Sequence, residues 1–248
     1  MLCMSSTGNF PWSAEQFDQS VREAVKTYWS GRRGQSKSQK KRGVRDAGTR
    51  GEVTGGQHLN AVLRLLVEIA RVAGFSNDEI RLNTAIELPG FFRPQKRWDM
   101  VVVRADRLCA ALELKSQVGS FGNNFNNRSE EAIGNATDFW TAFREGRMGT
   151  FAPWLGYFFF LEDTAKSTRP VGLKKSIFPP FEIFEGTSYA QRYAILCERL
   201  VLERKYTRTA LLMAPRGRAG DYSTPQNSEF SFHWFAKSLH SHLVGCRQ

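Results

Sequence analysis

The 248-residue sequence lacks the features that mark several special classes of protein. It has no apolar run long enough to span a bilayer, since charged residues such as Arg64, Glu68 and Arg71 interrupt the longest candidate. Proline is scarce, at 9 residues, which excludes collagen-like and proline-rich low-complexity chains. The 4 cysteines form no Cys-X-X-Cys pair, so we expect reduced thiols and neither a zinc ribbon nor a redox motif.

The first residues also predict no targeting segment. Residues 1–10 have no basic stretch followed by a long apolar core, which argues against a secretory signal and favours a cytoplasmic protein. The remaining composition is typical of a globular chain, with 41% hydrophobic and 12% aromatic residues. We expect residues 1–248 to form a single domain, because this length buries enough apolar surface to fold unaided.

Acidic residues are few relative to basic ones. The 35 Lys and Arg residues exceed the 24 Asp and Glu residues, which gives a net charge of +11 and indicates a polyanionic partner. Part of the excess lies at residues 31–56, where Asp46 is the only acid between Arg32 and Arg50. We predict that a helix ends at Gly31 and that a basic loop follows, which is mobile, contacts phosphates, or does both.

Hydrophobic spacing predicts five helices and five short strands. A capping-box pair, Ser13 and Gln16, begins the first helix, and Gly74 follows the second. This order predicts one α/β domain with a mixed central sheet and helices on both faces. The predicted helices span residues 12–29, 59–70, 129–144, 188–206 and 228–243, and the predicted strands span residues 79–88, 97–104, 108–115, 154–161 and 209–213.

Three side chains on two of these strands form a pattern that suits phosphodiester hydrolysis. Asp99 lies on one strand, and Glu113 and Lys115 lie two residues apart on the next, which places both on one face. Two carboxylates can bind Mg²⁺, and an ammonium group can position or polarise a water beside a scissile phosphate. We therefore predict a metal-dependent catalytic site, with a structural cluster of ion pairs as the alternative.

The register of these two strands tests the pairing of the carboxylates. A two-residue turn at Ala105 and Asp106 would oppose residues whose numbers sum to 211, which sets Asp99 across from Leu112. A metal site therefore requires an odd-length turn or a β-bulge, for example one centred on Asp106, that sets Asp99 across from Glu113.

A further acid, Glu68, lies within the otherwise apolar helix predicted at residues 59–70. It is either an ordinary charge on the exposed face of that helix or a third acid that leans over the carboxylate pair. We include Glu68 among the candidate catalytic residues.

An amide-rich segment at residues 119–127 follows the strand of Lys115 and precedes a helix, whose first N–H groups favour phosphate. Asn side chains can hydrogen-bond adenine and Arg can hydrogen-bond guanine, although a plain polar turn has the same composition. A later loop, 215–225, is either a second DNA contact or a basic surface loop. The candidate DNA-binding residues are Gln117, Asn123, Asn124, Asn126, Asn127, Arg128, Arg216 and Arg218.

This part of the chain resembles type II restriction endonucleases of the XhoI family, and the similarity extends over roughly residues 59–243. The resemblance implies a PD-(D/E)XK nuclease core, Mg²⁺ as cofactor, a homodimer, and cleavage of double-stranded DNA within the palindrome CTCGAG to leave 5′ overhangs. It assigns Asp99 and Glu113 as metal ligands and Lys115 as the catalytic lysine, while Trp98 stands where the superfamily motif has proline. The segments that carry it are Arg97-Trp98-Asp99, Glu113-Leu114-Lys115-Ser116-Gln117, Phe121-Gly122-Asn123-Asn124-Phe125-Asn126-Asn127-Arg128 and Glu130-Glu131-Ala132-Ile133-Gly134-Asn135.

Three functions stay open on the sequence. The first is a sequence-specific endonuclease of a restriction–modification system, with a cognate DNA methyltransferase. The second is a DNA-binding protein without catalysis, in which the acids are structural. The third is a structure-specific nuclease of repair or recombination that has the same core.

Overall fold

A computed structural model describes residues 10–42, 58–218, 220–225 and 230–247 of the chain. Within these ranges there are six α-helices and seven β-strands. The helices are α1 (Ala14–Arg42), α2 (Asn60–Val72), α3 (Phe121–Arg144), α4 (Ala165–Thr168), α5 (Tyr189–Leu202) and α6 (Phe232–Gly245). The strands are β1 (Ile80–Arg81), β2 (Glu87–Pro89), β3 (Gln95–Arg97), β4 (Met100–Arg104), β5 (Arg107–Gln117), β6 (Trp154–Asp163) and β7 (Arg208–Pro215).

Five of the strands form one mixed sheet in the order β1-β4-β5-β6-β7. β1, β4 and β5 are antiparallel neighbours, whereas β5, β6 and β7 are parallel. β2 and β3 form a separate antiparallel hairpin between β1 and β4 in the chain. The strand predicted at residues 79–88 is broken, because Asn83 and Ala85 adopt positive φ angles of 65° and 51° between β1 and β2.

Alternate residues of the central strands face two separate apolar cores. In β6, Phe158 and Phe160 face the core formed with α1, α2 and α6, which we call the α1 side of the sheet. Tyr157 and Phe159 face the core formed with α3 and α5, which we call the α3 side. β6 is therefore buried on both faces, as its unbroken apolar sequence predicts. The predicted mixed sheet flanked by helices is confirmed.

The first helix is longer than predicted. It begins with the expected capping box, in which Gln16 N donates to Ser13 Oγ (3.2 Å) and Ser13 N donates to Gln16 Oε1 (2.9 Å). It continues through Gly31 to Arg42, so the predicted loop is wrong for residues 31–42. Gly31 and Gly34 each cost the helix only about 1 kcal/mol, and the Lys, Arg and Gln residues around them are strong helix formers. Residues 43–56 lie outside the described ranges.

The amide-rich segment is helical from Phe121, although its Gly, Asn and Ser content predicts a loop. Phe121 and Phe125 lie one turn apart and pack against α5. Their ring centroids lie 6.1 Å from Tyr189 and 5.1 Å from Tyr193, respectively. Tertiary packing therefore outweighs the low helix propensity of asparagine in this segment.

A β-bulge sets the register between β4 and β5. Ala105 and Asp106 form a two-residue turn and both have positive φ, 47° and 60°, as the central residues of a type I′ turn do. Val103 pairs with Leu108, but Val102 pairs with Ala110, so Cys109 is an extra residue in β5. The bulge that a metal site requires is present, at Cys109 instead of the turn.

Two further expectations concern the membrane and the thiols. No helix among the described residues is long and apolar enough to span a membrane. Cys109, Cys197 and Cys246 are free thiols, as predicted. Cys3 lies outside the described ranges.

Gly156 provides a test of the packing of β6 on the α1 side. A Cβ atom at this position would lie 2.8 Å from Phe235 Cζ and closer still to the Trp154 ring. We expect Gly156→Ala to lower the free energy of unfolding by about 1–3 kcal/mol through overpacking, measured by urea denaturation. Gly134→Ala is the matched control, because Gly134 is exposed on α3 with open space for a Cβ. That variant should gain about 0.5–1 kcal/mol, and equal midpoints for both variants would contradict the packing.

Candidate active site

The bulge in β5 brings Asp99 and Glu113 together. The β4–β5 register pairs Met100 with Leu112, and its continuation by one residue sets Asp99 opposite Glu113. Leu114 N donates to Asp99 Oδ2 (2.7 Å), which fixes the Asp99 carboxylate against β5. Ala111 faces the core on the α3 side, so the alternation of β5 places the Glu113 and Lys115 side chains on that side.

Glu113 is the most enclosed charged group of the site. It is 3% exposed, and its carboxylate lies between two ammonium groups. Lys115 Nζ lies 2.7 Å from Glu113 Oε1, and Lys96 Nζ contacts Oε2. A buried acid in an apolar strand needs a cation or a hydrogen-bond partner to offset its desolvation, and the two lysines are these partners.

Burial and neighbouring charges shift the pKa values of Asp99 and Glu113 in opposite directions. Burial raises the pKa of Asp99 to about 6, and the negative charge of Glu113 adds to this rise. Burial also opposes the ionisation of Glu113, but the charges of Lys96 and Lys115 outweigh it and lower the Glu113 pKa. Glu113 is therefore ionised at neutral pH, whereas Asp99 takes up a proton near pH 6.

Lys96 is a site residue that the sequence pattern does not reveal. Its ammonium group donates to Arg97 O (2.8 Å) and lies 4.0 Å from the centroid of the Trp98 ring. Trp98 is buried and packs edge to face on Phe139 of α3, with ring centroids 5.3 Å apart. The sequence signal was a lysine three residues before Asp99, which is weak because lysine is common in this chain.

Helix α3 brings another acid toward the site. Burial acts to lower the pKa of Lys115, but the charges of Glu113, Asp99 and Glu131 outweigh this and raise it. Glu131 lies on α3 and accepts a hydrogen bond from Arg128 Nη1 at 2.6 Å. Arg128 Nε is buried and has no hydrogen-bond partner within the described part of the chain. Arg128, predicted as a DNA contact, is thus placed beside the acid that influences the catalytic lysine candidate.

Glu68 does not join the carboxylate pair. It is exposed on α2, and Arg71 Nη1 lies 3.4 Å from its Oε2. α2 covers the α1 side of the sheet, whereas Asp99 and Glu113 face the α3 side. Of the two interpretations that the sequence left open, the structure supports the exposed surface charge.

The amides of α3 present part of the predicted DNA contacts to solvent. Asn123, Asn126 and Asn127 are exposed on the first two turns of α3. Asn124 is half-buried, and its Nδ2 donates to Ser120 O at 2.9 Å. Three of the four asparagine side chains are therefore accessible to a ligand.

The remaining DNA-binding candidates lie at the carboxyl ends of the parallel strands. Gln117 is buried, and its Nε2 donates to Gly119 O, so this side chain is turned inward. Arg216 and Arg218 are exposed, and Arg216 Nε lies 3.2 Å from Glu162 Oε1. Glu162 Oε2 accepts from Gly119 N (3.1 Å), which joins this loop to the start of α3. The carboxyl edge of parallel strands is a common position for ligand sites.

The donor atoms of the pair suit a hard divalent cation. Asp99 and Glu113 supply carboxylate oxygens, the ligands that Mg²⁺ prefers, and Glu113 already faces two positive charges. Among the described residues, no group of three or more Asp, Glu, His or Cys side chains is suited to a metal. The protein would therefore hold a cation with these two carboxylates, and Mg²⁺ usually keeps several waters.

Comparison with known proteins identifies relatives that are type II restriction enzymes. Residues 38–224 match the family model of the restriction endonuclease XhoI. The type II restriction enzyme BstVI of Geobacillus stearothermophilus is 45% identical over 209 residues, 81% of this chain and 93% of that protein. The type II restriction enzyme XhoI of Xanthomonas vasicola is 40% identical over 204 residues, 81% of this chain and 82% of that protein.

A third relative matches a shorter part of the chain. The type II restriction enzyme AbrI of Azospirillum brasilense is 42% identical over 156 residues, 62% of this chain and 70% of that protein. No solved structure matches the chain. The resemblance inferred from the residues around Asp99 and Glu113 is confirmed, and the chain belongs to the XhoI family of restriction endonucleases, which are site-specific deoxyribonucleases.

Proposed function

We propose that this protein is a Mg²⁺-dependent type II restriction endonuclease that hydrolyses phosphodiester bonds of double-stranded DNA. The observation that carries the proposal is the buried Glu113 carboxylate, held opposite Asp99 and between two ammonium groups, in a chain of the XhoI family. The β4–β5 hairpin, with Asp99 directly before β4 and Glu113 and Lys115 on β5, supports the proposal of a PD-(D/E)XK core. Cleavage within CTCGAG, with 5′ overhangs, is proposed from the family resemblance.

Each side chain has a distinct role in the proposed reaction. Asp99 and Glu113 would hold Mg²⁺, which when bound would act as a Lewis acid and lower the pKa of a bound water. The Lys115 ammonium positions the attacking water or stabilises charge on the scissile phosphate. Lys96 holds the Glu113 carboxylate in place through Oε2 and adds a second positive charge. Hydrolysis forms a bond from the water oxygen to phosphorus and breaks the P–O bond to one sugar oxygen, which leaves as a hydroxyl group after taking up a proton that the water gives up.

The charge balance of the site suits an anionic substrate. Asp99 and Glu113 carry two negative charges when ionised, and Lys96 and Lys115 carry two positive charges. The protein groups therefore sum to zero, and a bound divalent cation makes the site positive where the phosphodiester must bind. Without the lysines, one divalent cation would bring the two carboxylates to a net charge of zero. Such a site would attract the phosphate less strongly.

A palindromic recognition site would suit a two-fold symmetric protein. A palindrome presents the same base edges twice about a dyad, so we propose a homodimer of single endonuclease domains, one per strand. A cognate DNA methyltransferase would protect the host sequence, and the pair would act in the cytoplasm as a restriction–modification system. The net charge of +11 per subunit favours binding to the polyanionic duplex.

Digestion of a plasmid tests the proposed activity. We expect the protein to convert a plasmid with one CTCGAG site to a single linear product in Mg²⁺ and to leave it intact in EDTA, as judged on an agarose gel. A plasmid without the site is the control. Nicked circles or a smear would instead favour a repair nuclease, and intact plasmid in a shifted complex would favour a non-catalytic DNA-binding protein.

Removal of either carboxylate charge tests the metal ligands. We expect Asp99→Asn and Glu113→Gln to lower the cleavage rate by at least about 100-fold, because each removes a ligand charge, while DNA binding in EDTA is kept. Circular dichroism melting checks the fold, since Glu113→Gln leaves two buried ammonium groups without their acid partner. Normal cleavage by both variants would exclude these residues from the site.

The two lysines allow a test that separates rate from metal binding. We expect Lys115→Ala and Lys96→Met to lower the cleavage rate by roughly 100-fold. Neither should weaken Mg²⁺ binding, measured by calorimetry without DNA, because each loses a positive charge that competes for Glu113. Lys26→Ala, on the exposed side of α1, is the control. Restoration of the full rate at high Mg²⁺ would mean that the lysines support ligation and not the chemistry.

Sedimentation with a short duplex tests the dimer. A 20-base-pair duplex with one site should bind two chains. The logarithm of the binding constant should fall with the logarithm of the salt concentration, with a slope of roughly 0.9 per phosphate neutralised. Stepwise cleavage of one strand by a single bound chain would contradict the dimer.

A further inference from the structure

The turn between β2 and β3, residues 90–94, carries two exposed aromatic side chains. Phe91 is 52% exposed and Phe92 is 71% exposed, and their rings meet edge to face with centroids 5.0 Å apart. Burial of an exposed phenyl ring against a partner is favourable, because it removes apolar surface from water. Two such rings held side by side therefore indicate an interaction surface.

A buried carboxylate on α3 holds the backbone of this turn. Asp138 Oδ1 accepts hydrogen bonds from Phe91 N (2.7 Å) and Phe92 N (2.8 Å), and Asp138 Oδ2 accepts from Arg93 Nε (2.7 Å). The Asp138 side chain is 6% exposed, and Arg93 Nη2 also donates to Asn135 Oδ1 (2.7 Å). The two rings therefore protrude from a turn whose backbone is anchored to the helix at several atoms.

Gly90 shows how closely the turn approaches Asp138. A Cβ at Gly90 would lie 2.6 Å from Arg93 O and 2.7 Å from Asp138 Oδ2, so a larger residue would displace the contact. Because Asp138 holds the backbone of the turn, Phe91 and Phe92 are preorganised, and less conformational entropy is lost when a partner binds.

The turn is continuous with the candidate active site. β3 leads from the turn directly to Lys96, which contacts Glu113. Phe92 and Lys96 are four residues apart, so at most roughly 14 Å of extended chain separates them. Phosphates on one DNA strand are about 3.4 Å apart along the axis, and this distance therefore corresponds to about four base-pair steps.

The charge around the turn favours DNA over a second protein. Residues 90–97 contain no acid. Arg93 and Lys96 are paired with Asp138 and Glu113, and Arg97 adds an exposed positive charge beside them. The DNA strand that the site cleaves must lie beside Lys96, so the surface that continues from it meets the same duplex. Apolar side chains inserted at a base step partly unstack it and kink the duplex, which brings more DNA into contact with the protein.

We propose that Phe91 and Phe92 pack against a base step of the duplex, within about four base pairs of the scissile phosphate, and that Asp138 positions them. This inference rests on the proposed endonuclease function. It assigns the β2–β3 turn as a DNA-contacting element and Asp138 as a positioning residue.

Fluorescence of 2-aminopurine tests the contact with the full-length protein. The probe is a 30-base-pair duplex that contains CTCGAG, with 2-aminopurine placed in turn at each step within four base pairs of the scissile phosphate. In EDTA, wild-type protein should raise the fluorescence severalfold at one step. The Phe91→Ala/Phe92→Ala variant should abolish the rise and weaken duplex binding by about tenfold or more. Phe92→Tyr should retain both effects, because an aromatic face remains.

The chain offers a matched control and a test of the anchor. Phe178→Ala removes a ring that is 80% exposed but lies far along the chain from the site, and it should bind like the wild type. Asp138→Asn should reduce the fluorescence rise, with a higher KM for cleavage and a smaller change in kcat. Because the phenyl rings are exposed, the double variant should melt at the wild-type temperature.

The outcomes separate this proposal from the function on which it rests. Wild-type cleavage with equal fluorescence and affinity for the double variant would overturn the DNA contact and leave the endonuclease function intact. Loss of the dimer in the double variant, with the fluorescence rise kept, would also overturn it in favour of a protein interface. A wild-type protein that neither binds nor cleaves the duplex would overturn both proposals.

Discussion

The single extra residue in β5 is the constraint on which the candidate site depends. Side chains of neighbouring strands meet in pairs, and a slip of one residue exchanges the two faces of a strand. Without Cys109 as a bulge, Asp99 would oppose Leu112 and face the apolar α1 side, away from Glu113. The type I′ turn and the bulge together allow a short hairpin to place both carboxylates on the α3 side.

The buried charges at this position do not serve stability well. Taking two acids and two lysines out of water is costly, and well-packed apolar residues of similar volume often stabilise a protein more than a buried ion pair does. The alternative that Glu113 and Lys115 form a structural ion pair describes a real contact, at 2.7 Å, but gives no reason for Lys96 and Asp99 beside it. The proposed catalytic role explains a cluster in which the pKa of one acid is raised and that of the other is lowered.

The sequence predicts those features that depend on local patterns. The alternation of β5 and the hairpin order are enough to predict Glu113, Lys115 and the need for a bulge, and the segments around them suffice to identify the family. Lys96 and Asp138 escaped prediction because their partners lie 17 and about 45 residues away, where no spacing rule applies. The helix at residues 121–128 was missed for a related reason, since its support comes from tyrosines of α5.

Helix α3 connects the parts of the proposed DNA surface mechanically. Its 24 residues span about 36 Å, close to one turn of a DNA duplex. The exposed asparagines lie at its start, Glu131 near its middle, and Asp138 beyond, where it anchors the β2–β3 turn. An α-helix bends little over this length, so a shift of the proposed amide contacts on DNA would move the turn with them, and also Glu131, which influences Lys115. Cleavage restricted to one sequence requires such a link, because contacts with the bases must decide whether the catalytic groups reach the phosphate.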